Sequence, residues 1–227
     1  MKRIAFFLIV PMLVFLVSCT TDPDDDDDSW DAAKVCPETG TNSYGMPNRG
    51  TFTDERDGQV YKYTTIGNQV WMAENLRYDS EVSGCMDHFG DSCKTFGLYY
   101  SLYKNIQPYQ YVVNDSIFEF ICPNGWHIPS LDEWKTMIKK MGDKAALRLR
   151  GANYWGDDRG TGTDECSFNA LPAGKFNYSG SISSLYNEAF FSTSTEDVKG
   201  NLNVVIMDVG ISYGFFTSRF STRCIKD

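Results

Sequence analysis

Asp157, Asp158, Asp164 and Glu165 stand around Gly156, Gly160 and Gly162 in one short stretch of the chain. Hard oxygen ligands on a glycine-rich backbone suit calcium, which takes roughly six to eight of them. A calcium site is therefore one expectation for this loop and a solvated polar loop is the other, since the spacing matches no EF-hand. Tyr154 and Trp155 come directly before it. Aromatic rings exposed beside carboxylates can stack on the apolar faces of sugars while polar neighbours meet the hydroxyls; packing into a core is the rival expectation. The chain has only two histidines, His88 and His127. Neither stands in a Ser-His-Asp or Cys-His order with supporting motifs, so nucleophilic catalysis lacks its parts. His127 is expected to be a packed, hydrogen-bonded ring. Asp and Glu abound, but no pair stands out as the two carboxylates of a glycoside hydrolase.

The cysteines carry a different chemistry. Lys2 and Arg3 lead into an apolar stretch over residues 4–17, which ends in Leu16-Val17-Ser18-Cys19. That run is shorter than the ~18 apolar residues of a membrane span and has the layout of a secretory signal. Leu-Val-Ser-Cys resembles the bacterial lipobox, in which the cysteine thiol receives a diacylglycerol and the peptide bond before it is cut. Cys19 is thus the expected lipidation site and the lipid bilayer an expected partner, several acyl chains at about 0.8 kcal/mol per buried methylene making a stable anchor. Six further cysteines, Cys36, Cys85, Cys93, Cys122, Cys166 and Cys224, remain. An even number in an exported chain reads as three disulfides, and none shows the Cys-x-x-Cys spacing of a zinc site.

Residues 1–19 are accordingly read as a signal peptide, 20–50 as an acidic tether and irregular arm, and 51–227 as one domain. Five consecutive aspartates, Asp24 to Asp28, repel one another and bury nothing, which describes an extended spacer. Cutting before Cys19 removes Lys2 and Arg3, so the formal net charge goes from −9 to −11. The six tether aspartates carry more than half of that charge. The domain itself is mildly acidic without a basic stripe, which argues against nucleic acid as a partner. The full chain is 15% aromatic, which supplies the means for aromatic-rich packing or for exposed stacking faces.

These residues need elements to hold them. Residues 59–66 alternate and are rich in aromatic and β-branched types, Gly67-Asn68 makes a turn, and 69–72 resumes, which is the pattern of a hairpin. Ser130 and Glu133 form a capping box before the apolar face of Trp134, Met137, Ile138 and Met141, and Gly142 ends that helix. Asp143 is placed to cap a short second helix through Leu149. Residues 151–163 are a loop, and 168–171, 189–195, 201–209 and 218–225 are candidate strands. Tyr99, Tyr100, Tyr103, Phe190 and Phe191 are expected inside.

Five ordered blocks resemble the Fibrobacter succinogenes major paralogous domain, a family of secreted, often lipid-anchored bacterial proteins. They are Asp57-Gly58-Gln59-Val60-Tyr61-Lys62; Ile66-Gly67-Asn68-Gln69-Val70-Trp71-Met72-Ala73-Glu74-Asn75-Leu76; Cys122-Pro123-Asn124-Gly125-Trp126-His127-Ile128-Pro129-Ser130; Asn169-Ala170-Leu171-Pro172-Ala173-Gly174; and Ser221-Thr222-Arg223-Cys224-Ile225-Lys226-Asp227. The helix entry from His127 to Trp134 also resembles that of the formylglycine-generating enzymes, whose domain is C-type lectin-like. The resemblance implies an α+β, C-type lectin-like fold: small antiparallel sheets, one main helix plus a short one, and long loops. It further implies bridges Cys122–Cys224, Cys85–Cys93 and Cys36–Cys166, the first closing a loop long enough to contribute about 4.7 kcal/mol through the unfolded state. The paired cysteines of the formylglycine-generating enzymes have no counterpart here, because Cys224 stands alone near the carboxyl end. Gln107-Pro108-Tyr109 likewise departs from the calcium-dependent sugar-lectin signal. The expectation is a lipid-anchored protein of the outer membrane or cell surface, without a cofactor unless calcium, whose loops bind polysaccharide or another surface protein. The alternative is an extracellular enzyme acting on polysaccharide.

Overall fold

The computed structural model describes residues 30–85, 92–102, 117–156 and 160–227. Cys19, the aspartate tether, His88, Tyr103, Gln107-Pro108-Tyr109, Asp157 and Asp158 lie outside the described residues. Among the described residues no helix is long and apolar enough to cross a membrane.

The fold is α+β, built from small antiparallel sheets and a few helices. After a short helix α1 (Ala32–Val35), strands β1 (Arg49–Thr53), β2 (Val60–Ile66) and β3 (Gln69–Met72) form an antiparallel meander. The β2–β3 turn sits on Gly67, whose φ of +59° is open to a residue without Cβ. Residues 63–66 and 70–72 are all buried, so the alternation of β2 is lost where both faces of the sheet are covered. Ile66 and Trp71 face one core and Tyr61, Tyr63, Val70 and Met72 another. β4 (Ser83–Gly84) pairs with β5 (Tyr99–Tyr100), with α2 (Ser92–Phe96) between them in sequence; α3 (Ile117–Ile121) precedes β6 (Trp126–His127).

The main helix α4 (Leu131–Met141) begins with its capping box in place: the Glu133 amide donates to Ser130 Oγ at 3.2 Å, and the Ser130 amide donates to the Glu133 carboxylate at 2.7 Å. Trp134, Met137 and Met141 are buried along one stripe, with Ile138 partly so. α5 (Ala145–Leu149) follows, but Lys144 holds its cap position and Asp143 does not cap it. The Ala145 amide is met instead by the Gly142 carbonyl at 3.0 Å, so that a backbone oxygen stands where the carboxylate was expected.

Two candidate strands fall short. Residues 168–171 make only a single bridge from Ala170 to Arg150, because Ser167 and Asn169 have left-handed φ values of +53° and +51° that break an extended run. Residues 218–225 form a strand only at β12 (Ile225–Lys226), and before it Arg219, Phe220 and Ser221 each bridge a different partner. Between these regions, β7 (Lys175–Phe176) pairs with β8 (Ile182–Ser183), and β9 (Ala189–Glu196), β10 (Leu202–Met207) and β11 (Ile211–Gly214) form a second sheet. The larger sheet has the order β1-β2-β3-β12-β6, so the last strand inserts beside the N-terminal ribbon.

Trp134 joins the two sheets through α4. Its ring is 4.8 Å from Trp71 in β3 and 5.1 Å from Phe191 in β9, with Phe168 at 5.9 Å. Disulfides link Cys36 to Cys166, Cys85 to Cys93 and Cys122 to Cys224, with Cα separations of 5.4, 5.9 and 5.9 Å. These are the pairs the family resemblance implies. Cys36–Cys166 holds the N-terminal arm, which is more ordered than its composition suggests: α1 forms there, and the Trp30 indole donates to the Lys140 carbonyl at 3.0 Å. Tyr99, Tyr100, Phe190 and Phe191 are interior.

Candidate functional site

Among the described residues, six non-glycine residues have left-handed φ, and all lie between 154 and 186: Tyr154, Asp164, Ser167, Asn169, Ser184 and Tyr186. Such a conformation costs an L-residue about 1–3 kcal/mol and persists only where the surroundings dictate it. Here backbone stacks on backbone: a Cβ at Gly162 would run into the Arg150 carbonyl, and one at Gly174 into the Ser183 carbonyl.

A buried polar network positions these loops. The Arg223 side chain is fully buried; its guanidinium donates to the Phe168 and Asn169 carbonyls and to Asn75 Oδ1 at 2.8 Å, lying 4.3 Å over the Phe168 ring. Burial pulls its pKa down, against the carboxylates of Asp164 and Glu74. Asn75 in turn donates through Nδ2 to the Phe96 carbonyl at 2.7 Å. Three of the sequence blocks, those holding Asn75, Asn169 and Arg223, therefore meet at one point.

Phe96, held by that network, is the base of an aromatic surface. Its ring lies 5.2 Å from Tyr154 and 6.0 Å from Tyr186, edge-on to both. Phe96 is 5% exposed, whereas Tyr154 and Tyr186 are 50% and 47% exposed. Both sit on left-handed backbone, with φ values of +72° and +66°. The two loops are tied by the Gly156 amide, which donates to the Tyr186 carbonyl at 2.7 Å, and the Tyr186 amide donates to the Pro172 carbonyl at 2.9 Å. Trp155 goes the other way. It packs against the main core, its indole N–H donates to the Ala170 carbonyl at 3.3 Å, and the Arg150 guanidinium covers its ring at 4.9 Å.

The two described carboxylates of the glycine-rich loop are engaged inside the protein. Asp164 Oδ1 accepts from the Asn169 amide at 2.6 Å, and burial raises its pKa against that bond and the charges of Arg223 and Arg49. Glu165 accepts from Thr163 Oγ1 at 2.9 Å and lies 3.9 Å from Arg148 Nε. No group of three or more metal-ligating side chains gathers among the described residues.

His127 is clamped. Its Nδ1 lies 2.6 Å from Asp227 and its Nε2 3.0 Å from Glu133. The hydrogen bond to Glu133 is the main cause that pushes the His127 pKa up to about 9, helped by Asp227 against burial. Burial opposes the Glu133 charge, but bonds from His127 and Ser130 outweigh it and hold the carboxyl down to about 2. At neutral pH the ring is an imidazolium with both N–H groups spent, so it has no lone pair with which to act as a base.

Tyr186 and Phe96 carry no strong mark in the sequence. Tyr186 follows a serine-rich stretch without periodicity, and Phe96 meets Tyr154 only through the tertiary fold; an aromatic residue between turn-forming residues was the one signal on offer. Residues 64–226 match the family model described as the Fibrobacter succinogenes major domain. No curated protein and no solved structure matches the chain.

Proposed function

The chain belongs to the Fibrobacter succinogenes major domain family, and from that premise we propose that it is a non-catalytic binding protein of the bacterial envelope, held outside the cytoplasm by an acylated Cys19 and taking polysaccharide on the Tyr154–Tyr186 surface. One observation carries the reading: two half-exposed tyrosines, both on left-handed backbone, flank a buried Phe96. Their hydroxyls keep the rings wet at one edge while the ring faces offer apolar area to a sugar. Such strain is retained where a surface is worth holding in one shape. A rigid pair of rings also loses little entropy when a ligand settles on it.

Binding is preferred to hydrolysis because two half-exposed rings on a buried base supply what binding needs, while His127, the described histidine, is already engaged by two carboxylates and offers no general base. We take binding to be independent of calcium, on the ground that Asp164 and Glu165 already serve amide, hydroxyl and guanidinium partners. We take the scaffold to be C-type lectin-like, on the support of β12 lying beside β3 and of the bridge from Cys122 to the last strand.

The test is retention of the full chain on insoluble cellulose, xylan and peptidoglycan. Tyr154→Ala and Tyr186→Ala should each weaken retention by about fivefold to tenfold, and a chelator should leave it unchanged. A double variant that is folded and retained as well as the native chain refutes the reading.

A further inference from the structure

The second sheet leaves one strand open. In the order β11-β10-β9, β9 is covered on its far side by Ser221, whose carbonyl accepts the Ser192 amide at 3.0 Å, while among the described residues nothing pairs with the far side of β11. Natural sheet edges are ordinarily blunted with charge, proline or a bulge. From Val209 to Phe216 this edge has no charged residue and no proline. It carries Val209, Tyr213 and Phe215 at 64%, 41% and 50% exposure.

The direction of its backbone groups follows from two hydrogen bonds. The Ser192 amide turns away from β10, so the Val204 and Ile206 groups of β10 point toward β11. The Asp208 amide donates to the Gly210 carbonyl at 3.0 Å, which gives the same alternation from the turn end. Ser212 and Gly214 thus bond to β10, and the N–H and C=O groups of Ile211 and Tyr213 point outward.

The sequence along this edge is symmetric in character about Ser212: Val209-Gly210-Ile211-Ser212-Tyr213-Gly214-Phe215 reads apolar, Gly, apolar, Ser, apolar, Gly, apolar in both directions. An antiparallel partner with the same pattern meets it in register. We propose that the partner is a second copy of this chain, paired β11 to β11 across a two-fold axis through Ser212, so that two three-stranded sheets become one of six strands. Ile211 then lies opposite Tyr213 of the second copy in a hydrogen-bonded pair, twice by symmetry, which uses all four outward groups of each copy. Val209 lies opposite Phe215 on the same face. The glycines at 210 and 214 keep the other face low. The axis stands perpendicular to the sheet, so the two α4 helices lie on one side, each over its own β9 and β10 with Lys135 5.9 Å from Tyr213. Self-complementarity of this kind is the requirement of an isologous interface.

Ser212 is exposed and would face its own copy in a non-bonded pair, where Cα atoms are about 4.5 Å apart, inside the range a disulfide spans. The full chain carrying Ser212→Cys should therefore run as a covalent dimer on non-reducing gels, at least about tenfold above Val198→Cys, a fully exposed control on another turn. Light scattering of the unmodified full chain in detergent should give the mass of two copies, and Tyr213→Lys should shift it to one. A monomeric native chain with no excess cross-linking at residue 212 overturns the proposal, as does capture of a different protein by Ser212→Cys without the self-dimer.

Discussion

The five-stranded sheet with α4 and the loops between residues 150 and 189 are built on opposite principles. In the sheet and helix each residue adopts a conformation it favours by itself: aromatic and β-branched residues in β2 and β3, and a capped amphipathic helix in α4. In the loops Tyr154, Ser167, Ser184 and Tyr186 adopt one they do not favour, beside Asp164 and Asn169, whose types visit it more readily. The first region has local causes for its shape that packing then stabilises, whereas the second has its shape imposed by neighbours. Strain collected in one place, under two presented tyrosines, marks the region where shape matters more than stability.

The comparison breaks most directly at Arg223, which belongs to the framework by sequence and to the loops by hydrogen bonding. Arg223→Met keeps the apolar contact with Phe168 but leaves the Phe168 and Asn169 carbonyls and Asn75 Oδ1 without their buried donor. A loss of about 3–5 kcal/mol is expected by denaturant unfolding. Hydrogen exchange should show residues 160–176 losing protection well before β2 and β3. Loss of protection equal in both regions would mean that the loops are no more dependent on their neighbours than the sheet is.

The same division decides what was legible beforehand. The β2–β3 hairpin and the Ser130–Glu133 capping box were readable because their causes lie within four residues of each other along the chain. Asp143 is placed by sequence to cap the short second helix but lacks the reciprocal partner that Ser130 has in Glu133, and the Ala145 amide goes to the Gly142 carbonyl instead. Residues 168–171 are apolar enough for a strand; Asn169 is of a type that visits the left-handed region, but nothing local announces that Ser167 joins it beside carbonyls held by Arg223, more than fifty residues away. Tyr154 and Trp155 could be picked out as a pair, but which ring faces water depends on the φ of residue 154 and on Arg150. The Asp227 side of the His127 clamp is fixed by β12 pairing with β6, a contact across about a hundred residues of chain that no periodicity encodes.

The strain itself can be measured with a smaller change. Glycine occupies the left-handed region freely and alanine does not, so Tyr154→Gly and Tyr186→Gly should each be more stable than the matching alanine variant by about 1 kcal/mol. Both substitutions remove the same ring, so lost packing on Phe96 cancels in the difference. A control pair at Tyr63, in an ordinary extended strand, should show alanine at least as stable as glycine. Equal glycine and alanine variants at 154 and 186 would remove strain as the distinguishing property of the loops.

The smallest expected effect lies wholly in the framework. The folded state raises the His127 pKa from its ordinary 6.5 to about 9, so the folded protein binds that proton more tightly than the unfolded chain does. The stabilisation is fully present below about pH 6.5 and is lost as pH rises through about 9. Glu133, held down to about 2, gives the opposite limb: its contribution is present above the ordinary carboxylate range and fades only as pH falls toward 2. Because the His127 side chain is 41% exposed, solvent screening keeps the alkaline step below about 1 kcal/mol. Melting curves between pH 7 and 10 should show the native chain losing stability relative to His127→Gln across pH 9, which cancels the titration of every other group. The His127 clamp joins β6, β12 and α4 and touches none of the left-handed residues. Polysaccharide retention should therefore stay level over the same interval, for as long as the protein remains folded. A retention curve that follows the melting curve would show that the loops take their shape from the helix entry as well as from Arg223.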